Sequence, residues 1–290
     1  MTKLMVIASN NNIKNINADA FLYGIKGMSV NMPIYYSIDE LEIIINNIKK
    51  EKKEVFISLN KNMHNKDLDE LKNILNKLSN LNIDGIFYYD VAVLSLAKKL
   101  KINIPLVWSA EHLTTNYSTI NYWNKYGVTY TNISCEITKD EILDIRKNTD
   151  SKLIATVFGY LPMFVSKRHL VDCYLEKFKI KDNSKQYYLE KNNEMYPIVD
   201  DSLGTNIYSS KILNGYSEYL TFVDNNIDYV LLNSYLIDDE IFIKIVDIFK
   251  NKSTNGEEEI SKLLNNNVDK GFLYKETIYK VKKWWKDQNY

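Results

Sequence analysis

The segment Asn82-Ile83-Asp84-Gly85-Ile86-Phe87-Tyr88-Tyr89-Asp90-Val91-Ala92-Val93-Leu94 holds one full turn of the rhythm that decides the fold. A polar joint leads into a near-continuous apolar run at 85–89, as expected of a parallel strand buried on both faces. Asp90 then stands where a helix N-cap belongs, before the amphipathic run 91–100. The joint recurs as Asn226-Ile227-Asp228 before the apolar run that ends at Leu232. It reads as a recurrent loop solution and not as a domain repeat. The same alternation gives strands at 4–8, 20–23, 55–59, 85–89, 105–108, 128–133, 153–158 and 228–232. Alternating strands and helices imply a parallel sheet with right-handed crossovers, and eight such units favour closure. The expected fold class is therefore α/β, an eight-stranded (β/α) TIM-like barrel. No GxGxxG follows the first strand, which counts against a dinucleotide-binding sheet.

Several boundaries carry their own chemistry. Ser37 with Glu40 and Thr138 with Glu141 form capping boxes, and Gly127 sits where a helix ending near Tyr126 needs a C-cap glycine. The first connection, 9–19, carries the weakest helix signal. Residues 179–210 break the rhythm. Short β runs at 187–189, 196–199 and 206–209 surround Asp200-Asp201-Ser202-Leu203-Gly204, which reads as a hairpin. A β-hairpin insertion is thus expected between strands seven and eight. The barrel with this insertion spans 1–250, and 251–290 forms a polar, then helical tail ending in the basic and aromatic stretch 279–285.

Of the 290 residues, 45% are hydrophobic, 26% charged and 12% aromatic, which excludes intrinsic disorder. The 37 basic and 37 acidic residues cancel, so a uniformly basic nucleic-acid coat is excluded, though a local patch is not. Two cysteines are too few for a disulfide framework or a four-cysteine metal site. No apolar run approaches the ~18 residues of a membrane span, and the N-terminal apolar run is too short for a signal peptide. A cytoplasmic location is the expected default. Asn, Lys and Ile are abundant, as AT-rich codon usage would make them, so an Asn here is weak evidence of function. Arginine occurs only at Arg146 and Arg168, which makes each more telling.

In a barrel, chemistry belongs at the carboxyl ends of the strands. Three carboxylates fall there, Asp90, Glu111 and Glu136, as candidate acid/base groups. Asp90 also reads as a helix N-cap, and Glu136 as a solvated first-turn acid. Asn60 and Ser109 follow strands three and five as candidate substrate contacts. Arg168, with Lys167 beside it, follows strand seven, where barrels bind phosphate. Its guanidinium suits a bidentate anion or, alternatively, a structural pair with Asp200 or Asp201. His169 and Cys173, four residues apart, share a helix face. Two ligands do not make a metal site, so the reading there is a half-buried Cys beside an exposed His, with no metal expected. Phe87-Tyr88-Tyr89 reads as barrel lining. GxSxG, HExxH, P-loop and CxxC patterns are absent.

The run Gly159-Tyr160-Leu161-Pro162-Met163-Phe164-Val165-Ser166-Lys167-Arg168-His169-Leu170 resembles the signature of the collagenase-like peptidase family U32. So does Tyr196-Pro197-Ile198-Val199 with its Gly204-Thr205 ending. Trp108-Ser109-Ala110-Glu111, Thr115-Asn116-Tyr117, Asn121-Tyr122-Trp123, Cys135-Glu136-Ile137 and Gly271-Phe272-Leu273-Tyr274-Lys275-Glu276-Thr277 match one branch. That branch resembles the smaller partner of paired tRNA 5-hydroxyuridine modification proteins. The resemblance implies a component of wobble-uridine hydroxylation, or alternatively a collagenase-like peptidase, and it adds Asn116 to the candidate substrate contacts. Family members implicated in hydroxylation carry cysteines that hold an iron–sulfur cluster. Here the cysteine expected after Ser-x-Arg is His169, and the downstream ones are missing from 179–210. Phe158 replaces the usual histidine before the signature glycine, and Cys135 replaces the arginine before the strand-six glutamate. The resemblance and these departures together imply a chain that binds no cluster alone and works on tRNA, away from membranes, with a cluster-bearing paralogue.

Overall fold

A computed structural model describes residues 1–9, 15–182, 186–201 and 203–275. Asn10, Ser202, Glu276, Thr277 and the stretch 279–285 lie outside the described residues. In chain order the strands are β1 (Lys3–Ile7), β2 (Ala20–Ile25), β3 (Tyr35–Tyr36), β4 (Glu54–Leu59), β5 (Gly85–Tyr88), β6 (Leu106–Trp108) and β7 (Tyr130–Asn132). They continue with β8 (Lys152–Ser166), β9 (Tyr187–Lys191), β10 (Glu194–Asp201), β11 (Gly204–Asn214), β12 (Tyr229–Asn233) and β13 (Val268–Asp269). β1, β2, β4 to β8 and β12 pair in parallel, each with the next, and β12 pairs with both β8 and β1. The barrel is therefore closed, with the eight strands expected from the sequence.

The helices are α1 (Ile38–Lys50), α2 (Leu68–Leu78), α3 (Val91–Lys99), α4 (Tyr117–Asn124), α5 (Lys139–Lys147), α6 (Leu170–Phe178), α7 (Tyr216–Asp224), α8 (Asp239–Asn251) and α9 (Gly256–Leu263). Both capping boxes form, with Ser37 Oγ accepting from Glu40 N–H and Thr138 Oγ1 from Glu141 N–H, each at 3.3 Å. From 251 to 275 the chain stays on the barrel. α9 lies against α7 and α8, and β13 pairs in parallel with β11. Among the described residues no helix is long and apolar enough to cross a membrane.

The strands are apolar on both faces because each face meets a different core. Met5 and Ile7, Leu22, Phe56, Phe87, Val107 and Leu231 fill the barrel. Their neighbours Leu4 and Val6, Val55 and Ile57 pack outward under the helices. The period-two alternation of strand side chains sorts them. Near the amino end Phe56 meets Phe87, Tyr130 and Tyr229 edge-on at 5.7 to 6.2 Å. Removing the Phe56 ring would cost roughly 3–5 kcal/mol.

The repeated joint has a structural reason. Asp84 Oδ2 accepts the Val55 N–H of the preceding strand and pairs with Lys49 of α1. Asp228 Oδ2 accepts Leu153 N–H at 2.9 Å and pairs with Arg146 of α5 at 3.0 Å. Asp19, before β2, does the same with Leu4 N–H and Lys250 of α8. Each aspartate thus ties two strands and a helix together at the barrel's amino end. Arg146 also donates to the carbonyls of Ser151 and Thr149, which accounts for one of the two arginines.

The largest departure from the sequence reading is β8. The apolar run predicts a strand over 153–158, yet β8 runs 15 residues. Its second half leaves the barrel and pairs antiparallel with β11, which continues through β10 to β9. Gly159 marks the exit, with φ +122°, and a Cβ there would meet the Asn233 carbonyl at 2.7 Å. At the hairpin, Gly204 has φ +123°, and a Cβ would overlap the Ser166 carbonyl. Two glycines of the family-like motifs are thereby explained by backbone approach. Cys173 corrects another expectation. It is exposed, because α6 buries none of its residues.

Candidate functional site at the carboxyl end of the barrel

The carboxyl end of the barrel opens into a cavity of about 100 Å³. Ile7, Leu22, Phe87 and Leu231 form its floor and walls, while Asn31, Ser58, Asn60, Ser109, Glu111, Asn132 and Asn233 supply polar groups. A second, wider groove of about 600 Å³ adjoins it, and the two share Asn60 and Glu111. The groove is lined by Lys61, Lys66, Lys167, His64 and His112, and by the exposed apolar run Met163-Phe164-Val165 of β8.

Glu111 sits at the junction. Burial pushes its carboxyl above the usual carboxylate range, while His112 and an amide N–H of Asn31 hold it down and the charge of Glu136 raises it further. A half-buried acid raised in this way at a cavity mouth is a candidate proton donor or acceptor. Glu136 is paired with His112, Nδ1 to Oε1, at 2.9 Å. Glu111, His112 and Glu136 therefore form one charge-coupled group, reached through the segment after β6 and the turn after β7.

The other expected residues divide. Asn60 holds Val30 with both ends of its amide, at 2.9 and 3.1 Å, so it shapes the wall shared by the cavity and the groove. Ser109 lines the cavity and accepts from Asn132 Nδ2 at 3.1 Å. Lys167 lines the groove, where its Nζ meets His64 Nε2 at 2.7 Å and the Asn62 carbonyl at 3.2 Å. Asp90 is used elsewhere. One oxygen caps α3 at Ala92 N–H and the other accepts Met63 N–H, both at 2.9 Å. Asn116 caps α4 through Thr119 N–H at 2.9 Å and lines neither space. Arg168 is exposed, and its guanidinium has no hydrogen-bond or ion-pair partner among the described residues. Asp200 pairs instead with His169 at 2.8 Å. Sequence reasoning missed Asn31, Asn132 and His112. The first two were masked by the abundance of asparagine, and the pairing of His112 with Glu136 needs the fold.

The residues fit an iron–sulfur cluster poorly. Cys135 lies where burial, then Glu111 and Glu136, push its thiol up to about 12, so it stays protonated. Cys173 is exposed on α6, and His169, at the family cysteine position, is held by Asp200. His169, Asp172 and Asp200 each bring one possible metal ligand atom within 4.8 Å of the others. Asp200 there also accepts Val171 N–H and Thr205 Oγ1, which makes it a cap for α6.

The sequence profile described as peptidase family U32 matches residues 8–282. The chain belongs to peptidase family U32. It is 27% identical over 286 residues to tRNA hydroxylation protein P2 of Bacillus subtilis, covering 90% of this chain and 93% of that protein. It is also 24% identical to tRNA hydroxylation protein P of Escherichia coli, over 61% of this chain and 41% of that longer relative. With tRNA hydroxylation protein P1 of B. subtilis it shares 20% identity over half of this chain and 34% of that protein. The solved U32 peptidase Mk0906 superposes with a TM-score of 0.50 at 13% identity, covering 80% of this chain and 92% of its own. That likeness supports the barrel and nothing further. Within the U32 frame, Gly159 and Gly204 of the family-like motifs bring the arm of β8 and β11 over the barrel's carboxyl end.

Proposed function

We propose that this U32 protein is the smaller subunit of a tRNA wobble-uridine 5-hydroxylation system, working in the cytoplasm with a cluster-bearing paralogue. The observation that carries the reading is the near end-to-end match to tRNA hydroxylation protein P2, in a chain whose barrel mouth joins a polar cavity to a lysine-lined groove. The groove suits a single-stranded RNA loop, with lysines for phosphates and Phe164 as a stacking surface. Glu111, backed by His112 and Glu136, holds or moves a proton at the mouth. Arg168, exposed beside Lys167, takes a phosphate farther along the RNA. RNA binding, positioning and proton handling are assigned to this chain, and no redox step is.

Proteolysis is the weaker reading. A cysteine peptidase needs a thiolate beside a base, whereas Cys135 is held protonated and, among the described residues, no side-chain hydrogen bond joins Cys173 to His169, whose Nδ1 is on Asp200. Nucleoside mass spectrometry of tRNA from a deletion strain tests the proposal. Loss of 5-hydroxyuridine-derived nucleosides, restored by the wild-type gene, is expected. An unchanged nucleoside profile overturns it. Anaerobic reconstitution tests the division of labour. The isolated chain is expected to take up no stoichiometric iron, and a monomer that does so ends the case for a cluster-bearing partner.

A further inference from the structure

Asn132 is the last residue of β7, where the strand opens into the barrel cavity. Its Nδ2 donates to Ser109 Oγ at 3.1 Å, which fixes the amide plane. Its Oδ1 is buried and has no donor. A buried acceptor without a donor is costly, and native proteins rarely keep one away from a ligand or an ordered water. The cavity lining also includes Asn31, whose Nδ2 reaches Glu111 Oε1 only at 3.5 Å, a weak bond that leaves a donor to spare. Leu22, Phe87 and Leu231 make the remainder of the cavity apolar. An enclosed cavity of about 150 Å³ takes a benzene ring. This one is smaller, about 100 Å³, but it opens toward the groove, so a ring entering it need not be enclosed on every side.

We infer that this cavity is a nucleobase pocket that receives one flipped-out uracil, with Asn132 Oδ1 accepting its N3–H. The inference rests on the tRNA reading above and places the reacting base within it. A uracil edge offers one N–H donor between two carbonyl acceptors, which complements a cavity that holds both an orphan acceptor, on Asn132, and a spare amide donor, on Asn31. The ribose and phosphates then leave through the wall shared at Asn60 and Glu111, into the groove that carries Lys61, Lys66 and Lys167. Extruding a base that is already single-stranded costs least, so a loop nucleotide suits the pocket.

The test uses the protein purified from its own host with its co-purifying partners. Three anticodon stem-loop RNAs, identical except for uridine, 3-methyluridine or cytidine at the first anticodon position, are compared by equilibrium binding. Uridine is expected to bind about tenfold more tightly than either of the others, because each of those lacks the N3–H. In Asn132→Leu the three RNAs should bind alike, at the weaker level and with an unchanged salt dependence. Asn132→Asp, which keeps an acceptor, should restore the preference. Equal binding of the three RNAs by the wild type, a preference for cytidine, or no binding of the uridine hairpin overturns the pocket. The wild-type comparison stands even if a variant fails to fold. An unchanged nucleoside profile in the deletion strain, by contrast, overturns the function and not merely the place of the base.

Discussion

At the amino end of the barrel, Asp19, Asp84 and Asp228 each accept a strand N–H and hold a cation from a neighbouring helix, around a plug of aromatic rings. At the carboxyl end, Asn132 keeps a buried acceptor with no donor, and Glu111 is an acid raised by burial above its ordinary range. The three aspartates are spent on closing the fold, whereas Asn132 and Glu111 are left incompletely paired at the cavity. The two arginines divide in the same way. Arg146 is fully engaged below, and Arg168 is exposed above. In a barrel whose helices and strands are otherwise alike, this difference in satisfaction is a better guide to function than residue type.

The sharpest way to break that comparison is Glu111→Gln. It should lower tRNA modification by about 100-fold, the range expected for loss of an acid/base group. It should also stabilise the protein. The folded pKa of Glu111 lies above the unfolded one, so folding takes up a proton and stability falls as pH rises through that window. Glutamine removes the penalty. Melting at neutral pH should rise by about 2 °C, and the two proteins should converge below about pH 4. A variant that loses stability at neutral pH would place Glu111 among the structural groups.

Asp228→Ala should behave in the opposite sense. It strips the Leu153 N–H and Arg146 of their shared acceptor, at a cost of about 2 kcal/mol for a partly exposed cluster, read by chemical denaturation. Modification per folded molecule should be unchanged. A specific loss of activity at full stability would mean that the amino end also serves the chemistry.

The fold is more legible in the sequence than the site. Each barrel strand lies within two residues of its apolar run except β8, because a strand between two cores is apolar throughout and short. The run for β8 stops at Phe158, before Gly159 and Pro162. In the structure they sit where the strand leaves the barrel and where it pairs with Tyr208 beside a register shift. The candidate carboxylates are found by position alone, and only two of them, Glu111 and Glu136, share one charge-coupled group. Asn31 and Asn132 cannot be picked out, since asparagine is common in this chain and its role depends on which amide atom goes unpaired.

The smallest expected effects come from the arginines. Arg146→Lys should cost about 1 kcal/mol, because one ammonium cannot reach Ser151, Thr149 and Asp228 together. Arg168→Lys should leave the melting temperature where it was and weaken tRNA binding ~3-fold, through loss of bidentate phosphate contact. Unaltered RNA affinity in Arg168→Lys would remove that guanidinium from the binding surface.

Closure of the barrel pairs Lys3 with Tyr229 and Ile7 with Asn233. During synthesis, then, one side of β1 stays an open strand edge until most of the chain has left the ribosome. β2 can dock early and the arm of β9 to β11 can form from local pairings, but the final seam waits for β12. An unsatisfied edge of this kind invites pairing with other nascent chains. The Asp19–Lys250 tie lies beside that seam and joins the start of the chain to α8, which follows β12, so it can form only when the ring is complete.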